Sequence, residues 1–271
     1  MKSLVWLGIW GAIGLLAMGA TPGFSQATIT VGTPAGSDME ILEKAKQVAS
    51  REGLTVKIVE YKDYRQLNAA LVNKELDLNA FQHQPYLDEY NKANGSLLIS
   101  LGSSYVSPLG VYSRKIKKLS ELKEADTIVI PLEPANGGRA LLLLEKAGVI
   151  KLKPGVGLTA TADDILENPK NLIILGVEGP QTVKSLDEVA AAAIINTYSI
   201  PAGLNPLKNS IFLESIDSPY INVIAARIED RGNPLLLKFV KAYQSQEVAD
   251  YIYENFEYSI IPAFPHQKRE Q

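Results

Sequence analysis

Residues 77–90 read DLNAFQHQPYLDEY. An apolar run ends at Phe81, and a histidine, two glutamines and two tyrosines follow within nine residues. That histidine, His83, is one of only two in the chain. Open α/β sheets bind ligands beyond the carboxyl ends of their strands, so polar and aromatic residues placed there indicate a binding edge. The stretch therefore predicts the end of a strand at the mouth of a site.

Strand and helix patterns alternate upstream of this stretch. Thr28–Thr33 alternates and is rich in β-branched residues, which is typical of a strand. Ser37–Glu40 matches a capping box at the start of a helix with one apolar face. Leu54–Tyr61 predicts a second strand, Tyr64–Lys74 a helix and Leu76–Phe81 a third strand. Strands that alternate with helices of this length predict parallel strands joined by crossovers.

The same alternation returns downstream. Thr127–Pro131, Leu172–Val177 and Ala190–Asn196 predict strands, and Arg139–Ala147 predicts a helix. A second set of parallel strands indicates a second α/β lobe.

Two strand-like segments fall outside this alternation, and each follows a Ser-Pro pair. Leu109–Ser113 and Tyr220–Arg227 are interpreted as two crossings between the lobes. Pro234–Phe256 predicts one long amphipathic helix that returns to the first lobe. The predicted organisation is a signal peptide over 1–27, a first lobe over 28–112 plus 228–271, and a second lobe over 113–227.

The beginning of the chain predicts export. Lys2 is the only charge before Asp38, Leu4 to Ala20 is apolar, and a small-x-small site ends at Ala27. This order is typical of a cleaved secretory signal peptide. An uncleaved membrane anchor is the alternative, although a spanning helix needs about 20 apolar residues. The expected location is periplasmic or otherwise extracytoplasmic.

Composition excludes several classes of protein. The chain has no cysteine, which excludes disulfides, cysteine-ligated zinc and lipid attachment through a cysteine. Its formal net charge is −3 and it has no large basic block, so no nucleic-acid partner is expected. It carries no P-loop, Gly-x-Ser-x-Gly or His-Glu-x-x-His motif, and its two histidines are far apart. We expect neither an enzyme nor a bound metal or cofactor.

Asn136-Gly-Gly-Arg139 lies between an apolar strand and an apolar helix. If Asn136 caps the helix, Arg139 falls in the first turn, where the helix dipole disfavours a cation. Free N–H groups at the same end favour an anion. A ligand carboxylate would satisfy both, and a guanidinium binds one bidentately. The alternatives are that Arg139 points to water or pairs with Glu133.

Two asparagines are also unexpected. Asn196 and Asn222 lie in or at the end of strongly apolar strands, where asparagine is disfavoured. A buried amide must be hydrogen-bonded, either to the backbone or to a polar ligand in a cleft.

The aromatic residues of the quoted stretch form a candidate pocket lining. Phe81, His83, Tyr86 and the upstream Tyr64 would present aromatic edges, which suit a polarizable thioether. An ordinary packed cluster with a hydrogen-bonded histidine is the alternative. His83 as a general base is a further alternative, but no nucleophile or acid accompanies it.

Four segments together resemble a known family. DLNAFQHQPYLDEY, IPLEPANGGRALLLLEKAGVI, AAIINTYSIPAGLNP and SPYINVI occur in this order. They resemble the methionine-binding lipoproteins of bacterial ABC importers, the NlpA/MetQ family, over essentially all of the chain after the leader. The resemblance implies a type 2 periplasmic-binding-protein fold, with two α/β lobes joined by two crossing strands and a ligand cleft between them.

The resemblance also implies a function and a set of contacts. It implies a monomeric extracytoplasmic protein that captures methionine, L-methionine in the first place, and delivers it to the permease and ATPase of an ABC importer. Arg139 would hold the ligand carboxylate. The implied ligand-binding residues are Tyr64, Phe81, His83, Tyr86, Asn136, Arg139, Asn196 and Asn222.

Alternatives to this function remain at this stage. They are the same fold binding D-methionine, another small amino acid or a methionine-containing dipeptide, and a surface or adhesion protein without a transport role. Two departures from the family matter. The usual acylated cysteine is absent, and Leu132-Glu133-Pro134 stands where relatives commonly show Asn-Asp-Pro.

Overall fold

The computed structural model describes residues 27–267, which form thirteen β-strands and nine α-helices. The strands are β1 (Thr28–Thr33), β2 (Thr55–Glu60), β3 (Leu78–His83), β4 (Leu98–Val106), β5 (Gly110–Tyr112), β6 (Thr127–Pro131), β7 (Lys151–Leu152), β8 (Ile165–Glu167), β9 (Ile173–Val177), β10 (Ala191–Ile194), β11 (Ser210–Leu213), β12 (Ile221–Arg227) and β13 (Ile261–Pro262). The helices are α1 (Ser37–Arg51), α2 (Leu67–Val72), α3 (Gln84–Asn94), α4 (Pro134–Lys146), α5 (Gly179–Lys184), α6 (Asn196–Ser199), α7 (Pro206–Asn209), α8 (Pro234–Tyr243) and α9 (Gln246–Phe256).

The first sheet has six strands in the order β13-β4-β12-β3-β1-β2. β1 runs parallel to β2 and β3, while β12 is antiparallel to β3 and β4. Helices α1, α8 and α9 pack on this sheet, and Ile41, Leu42 and Phe239 are fully buried between them. Burying one such side chain contributes about 1.5–3 kcal/mol, so this apolar layer fixes the first half of the fold.

The second sheet has five strands in the order β11-β5-β10-β6-β9. β6 is parallel to β9 and β10, and β5 is antiparallel to β10 and β11. Helix α4 covers it with Leu141 and Leu144, which pack in a core separate from that of the first sheet. Two sheets with separate cores confirm the predicted two-lobed α/β arrangement.

The chain changes sheet at two short segments, residues 107–109 and 214–220. The segments interpreted as crossings, Leu109–Ser113 and Tyr220–Arg227, overlap these sheet changes only at Leu109 and Tyr220. β5 pairs inside the second sheet and β12 inside the first. The predicted boundaries at 112/113 and 227/228 each follow directly after one of these paired strands. From sheet membership we propose a first lobe of residues 27–106 with 221–267 and a second lobe of residues 110–213.

Helix α1 begins differently from the prediction. Ser37 is its first helical residue rather than its cap, and no side chain caps the helix. The chain enters through Gly36 at φ 87°, and a Cβ added there would lie 2.9 Å from Pro201 Cγ. Glycine is thus required both by backbone conformation and by close packing against the second lobe.

The predicted helix over Pro234–Phe256 is two helices. α8 ends at Tyr243, and the Ser245 side chain accepts a hydrogen bond from the Val248 N–H to begin α9. Serine is a preferred N-cap residue, so it starts a new helix here. The predicted signal peptide lies outside the described residues, apart from Ala27. Within residues 27–267, no helix is both long enough and apolar enough to span a membrane.

Candidate ligand-binding site

A cavity lies between the two sheets and is lined from both lobes. All eight residues that the resemblance implied lie around it, together with six that it did not imply. The additional lining residues are Ser37, Gln82, Tyr105, Ser107, Ile195 and Thr197. The strand in the quoted stretch therefore ends at this cavity.

Strand β3 and helix α3 set the position of His83. The strand continues to His83, two residues beyond its predicted end, and His83 is also the N-cap of α3. Asn222 on β12 lies directly opposite His83 in the sheet register. Two polar side chains of the candidate site are thus brought together by strand pairing alone.

The hydrogen bonds of His83 determine its tautomer. Its Nδ1 accepts from the Tyr86 N–H at 3.1 Å, so Nδ1 is unprotonated and Nε2 carries the proton. Nε2 then donates to Asn136 Oδ1 at 3.0 Å. Burial, and secondarily the charge of Arg139, lowers the pKa of His83 to about 3. A neutral imidazole with both nitrogens engaged is a structural hydrogen-bonding group, not a general base poised near neutral pH.

The same hydrogen-bond chain continues to Tyr64. Asn136 Nδ2 donates to Glu133 Oε1, and the Tyr64 hydroxyl donates to the same oxygen at 2.8 Å. Burial raises the pKa of the Glu133 carboxyl, and the bonds from Asn136 and Tyr64 oppose that shift. His83 and Tyr64 belong to the first lobe, whereas Asn136 and Glu133 belong to the second. The chain of bonds therefore joins the lobes at two points.

Arg139 differs from its prediction in two respects. Helix α4 starts at Pro134, with Glu133 at the N-cap, so Asn136 is not the cap and Arg139 lies in the second turn. Its partner is Glu214, which it meets through Nε and Nη2, rather than water or Glu133. The Arg139 and Glu214 side chains are only 4% and 11% exposed. Burial of a charge demands such a partner.

Asn196 presents an unsatisfied acceptor. It begins α6 directly after β10, and its Nδ2 donates to the Ser259 carbonyl at 3.3 Å. Its Oδ1 is buried and has no hydrogen-bond partner among residues 27–267. Because buried polar atoms are almost always paired, an orphan acceptor that lines a cavity is suited to a ligand donor.

Aromatic rings form the apolar wall of the cavity. The Tyr64 ring centroid lies 6.1 Å from that of Phe81 and 5.9 Å from those of Tyr86 and Tyr198. Tyr86 stands edge-on to Phe81 at 5.8 Å. Such edges suit an apolar or thioether group. The cavity thus combines the charged group of Arg139 with the aromatic rings of Tyr64, Phe81 and Tyr86.

Similarity to known proteins shows the family of the chain. The family model described as NlpA lipoprotein matches residues 29–264. The chain belongs to the NlpA lipoprotein family. A relative from Salmonella typhimurium, D-methionine-binding lipoprotein MetQ, is 48% identical over 223 residues, covering 81% of this chain and 82% of the relative. The MetQ of Escherichia coli K12 is 46% identical with the same coverage.

Solved structures of other members of the NlpA family share the fold. A nutrient-binding protein from Burkholderia cenocepacia bound to methionine has a TM-score of 0.85 and 47% identity, covering 87% of this chain and all of that one. The methionine-binding protein MetQ has a TM-score of 0.85 and 43% identity, covering 88% and 98%. The two-lobed periplasmic-binding-protein fold is therefore confirmed for this NlpA-family chain.

Sequence reasoning missed Gln82, although it lies in the quoted stretch. Gln82 exchanges two hydrogen bonds with Asn68, at 2.7 and 2.8 Å, and donates to Asn79 Oδ1 at 2.9 Å. All three amides are buried. This amide cluster ties α2 to β3 behind Phe81 and His83. The signal in the sequence was a second polar residue beside His83 at the end of an apolar strand.

Glu214 was missed for a similar reason. It follows the short apolar strand β11, and nothing near it in sequence indicates a cationic partner. Its Oε2 also accepts from the Leu109 N–H at 3.1 Å. Only the fold brings these groups to Arg139.

Proposed function

We propose that this NlpA-family protein is an extracytoplasmic solute-binding protein that captures methionine and delivers it to an ABC importer. The observation that carries the proposal is the cavity between the lobes. It combines a buried guanidinium, an unpartnered amide oxygen and an aromatic wall. The names of the relatives, which specify methionine binding, support the same ligand class.

The three groups match the three parts of methionine. Arg139 would receive the carboxylate, because its hydrogen bonds to the described residues run from Nε and Nη2, and because a buried guanidinium favours a charged acceptor. Asn196 Oδ1 would accept from the ammonium group. Tyr64, Phe81 and Tyr86 would surround the thioether.

The charge balance favours a zwitterion over a simple anion. Glu214 already neutralises Arg139, and His83 is uncharged. A ligand with one carboxylate and one ammonium adds no net charge to the buried site, which limits the desolvation cost. His83, Asn136 and Asn222 would fix ligand orientation around these contacts.

D-methionine is the second candidate, because the closely similar MetQ relatives are named for it. Another small amino acid or a methionine-containing dipeptide would use the same carboxylate and ammonium contacts. A purely adhesive role does not explain a cleft that is lined by both a buried guanidinium and an orphan acceptor. We therefore place binding before adhesion and before enzymatic activity.

One experiment tests the proposed ligand directly. Purified protein is denatured, and the released small molecules are identified by chiral chromatography and mass spectrometry. We expect L-methionine, with D-methionine as the alternative that its relatives suggest. The refolded, ligand-free protein should then bind the identified molecule in calorimetric titration. A preparation that releases no amino acid and, after refolding, binds neither enantiomer would contradict the proposal.

The proposed location can be tested on the N-terminus. We propose that the protein is exported and monomeric, begins at Thr28 after cleavage, and carries no lipid on cysteine, since the chain has no cysteine. Intact mass of protein from its native host should equal that of residues 28–271 without modification. A mass that retains residues 1–27 would instead support an N-terminal anchor.

A further inference from the structure

The contacts of Arg139 assign a role to Glu214. A guanidinium has five N–H donors. In Arg139, Nε and Nη2 meet the Glu214 carboxylate, and Nη2 also donates to the Ser107 carbonyl at 2.8 Å. Three of the five donors are thus occupied by the protein. The hydrogen bonds of this guanidinium to the described residues run from Nε and Nη2, so the two donors on Nη1 are open to a ligand.

These contacts also fix the plane of the guanidinium. Arg139 Cζ lies 4.5 Å from the ring centroid of Tyr220, which stacks the group against an aromatic face. Glu214 is itself held, because its N–H donates to the Leu109 carbonyl at 2.9 Å and its Oε2 accepts from the Leu109 N–H. An arginine side chain that is held on one edge and one face has little freedom to reorient.

The partners of Arg139 lie on both segments that join the lobes. Ser107 and Leu109 belong to the first crossing, residues 107–109, while Glu214 and Tyr220 belong to the second, residues 214–220. Glu214 contacts both Arg139 and the first crossing. Through Arg139, Glu214 links the two crossings to the proposed ligand carboxylate.

We propose that Glu214 is a positioning residue, which holds the Nε–Nη2 edge of Arg139 so that Nη1 alone is presented to the ligand carboxylate. The proposal rests on the proposed function, because it concerns the same site. It has a consequence for recognition. The Nε–Nη2 edge of the guanidinium already binds Glu214, so this edge cannot bind the ligand carboxylate bidentately. The ligand carboxylate is instead recognised through the fixed direction of the Nη1 donors.

The test compares two ligands in the full mature protein. Ligand-free wild type and Glu214→Gln are titrated calorimetrically with L-methionine and with L-methioninamide, which lacks the carboxylate. If Glu214 positions Arg139, the variant binds methionine about tenfold more weakly, the scale of one charge-assisted hydrogen bond. Methioninamide affinity changes much less, so the preference for methionine falls.

Loss of charge alone predicts the opposite sign. Removing a negative group near the site would favour the ligand that carries a carboxylate and disfavour cationic methioninamide, so the preference for methionine would rise. Glu167→Gln, which removes an exposed partner of Lys151 away from the cavity, is the matched control and should leave both affinities unchanged.

Each remaining outcome would contradict the positioning role of Glu214. Equal weakening of both ligands would assign Glu214 to the fold alone. Tighter binding of methionine by the variant would mean that Glu214 competes with the ligand carboxylate for Arg139. Unchanged affinities would mean that Glu214 does not contribute to ligand binding. If Glu214→Gln does not fold by circular dichroism, Glu214→Asp, which keeps the charge but shortens the reach, is measured in the same way. Wild type that binds no methionine contradicts the proposed function itself, before any variant is compared.

Discussion

Asp38 is a buried carboxyl group at the boundary between the lobes. Tyr105 donates to one of its oxygens from the first lobe, and Thr197 donates to the other from the second at 3.4 Å. Burial raises the pKa of Asp38 to about 7, although both hydrogen bonds oppose the shift. Separation of the lobes would return water to the Thr197 side and lower this pKa toward its ordinary value near 3.8.

The pH dependence of ligand binding follows from this difference. The closed form binds a proton that the open form releases, so closure is favoured as pH falls through 7 and disfavoured above it. We expect Asp38→Asn to remove a gain in methionine affinity of up to about tenfold between pH 8 and pH 6. Calorimetry of both proteins at the two pH values measures it. The same pH dependence in wild type and variant would mean that Asp38 does not titrate on closure.

His83 should act with the opposite sign. Its pKa is about 3 in the folded protein, and an unfolded histidine has one near 6.5, so acid favours the unfolded chain below pH 6.5. The imidazole should remain neutral and protonated on Nε2 from pH 8 down to pH 5. Nitrogen-15 NMR of the histidine ring reports both its charge and which ring nitrogen carries the proton. A ring that titrates near 6.5 in the ligand-bound protein would contradict the assigned network.

At the scale of elements, β3 depends on the buried amide cluster of Asn68, Asn79 and Gln82. Replacing Gln82 by the similarly shaped methionine leaves an Asn68 amide buried without its partner. This should cost about 1–3 kcal/mol of unfolding free energy. The side chain of the neighbouring Gln84 donates to the exposed Asp88. Gln84→Met should therefore cost less than about 0.5 kcal/mol. If chemical denaturation shows equal losses of unfolding free energy for the two variants, the amide cluster does not stabilise β3.

The order of elements was predictable from sequence because it follows hydrophobic period and length. The start of α4 was not. The sequence predicted a helix that begins at Arg139, whereas α4 begins at Pro134, and proline suits the first helical position. A Cβ at Gly137 would lie 2.8 Å from the Pro131 carbonyl oxygen, and one at Gly138 would lie 2.7 Å from the Leu158 carbonyl oxygen. The glycines serve close packing, which only the tertiary structure reveals.

The candidate site was likewise predictable from sequence only in part. Residues whose type conflicts with their local surroundings, such as Asn196 in an apolar run, could be selected from sequence. Their partners could not, because Glu214 and Ser259 lie 75 and 63 residues from Arg139 and Asn196. The six additional lining residues included ordinary ones such as Ser37 and Thr197.

At the scale of the whole molecule, polar contacts join the lobes around the cavity. His83 meets Asn136, Tyr64 meets Glu133, and the exposed Arg65 pairs with Glu178. Exposed ion pairs contribute at most about 1 kcal/mol, so closure depends mainly on the buried contacts and the ligand.

Methionine should therefore close the lobes about the two crossings. Small-angle scattering of verified ligand-free protein should show a smaller radius of gyration on saturation with methionine. Arg139→Ala at the same methionine concentration should show little contraction. Saturation of wild type without any contraction would argue against the hinge at residues 107–109 and 214–220.

Carboxylate capture and side-chain selection should separate by residue. Phe81→Ala removes apolar and sulfur–aromatic contact, the latter worth about 0.3–1.5 kcal/mol. It should weaken methionine more than a smaller ligand such as alanine. Equal losses for the two ligands, measured by calorimetry, would place Phe81 outside the thioether pocket.

The central claim is that Arg139 holds the carboxylate of a methionine ligand. The most direct test is calorimetric titration of wild type and Arg139→Ala with L-methionine. Loss of a buried charged partner costs about 2–5 kcal/mol. That corresponds to an increase in Kd of about 30-fold to several thousand-fold. We predict an increase in this range. A variant that binds methionine within about threefold of wild type, a difference under 1 kcal/mol, would contradict the account.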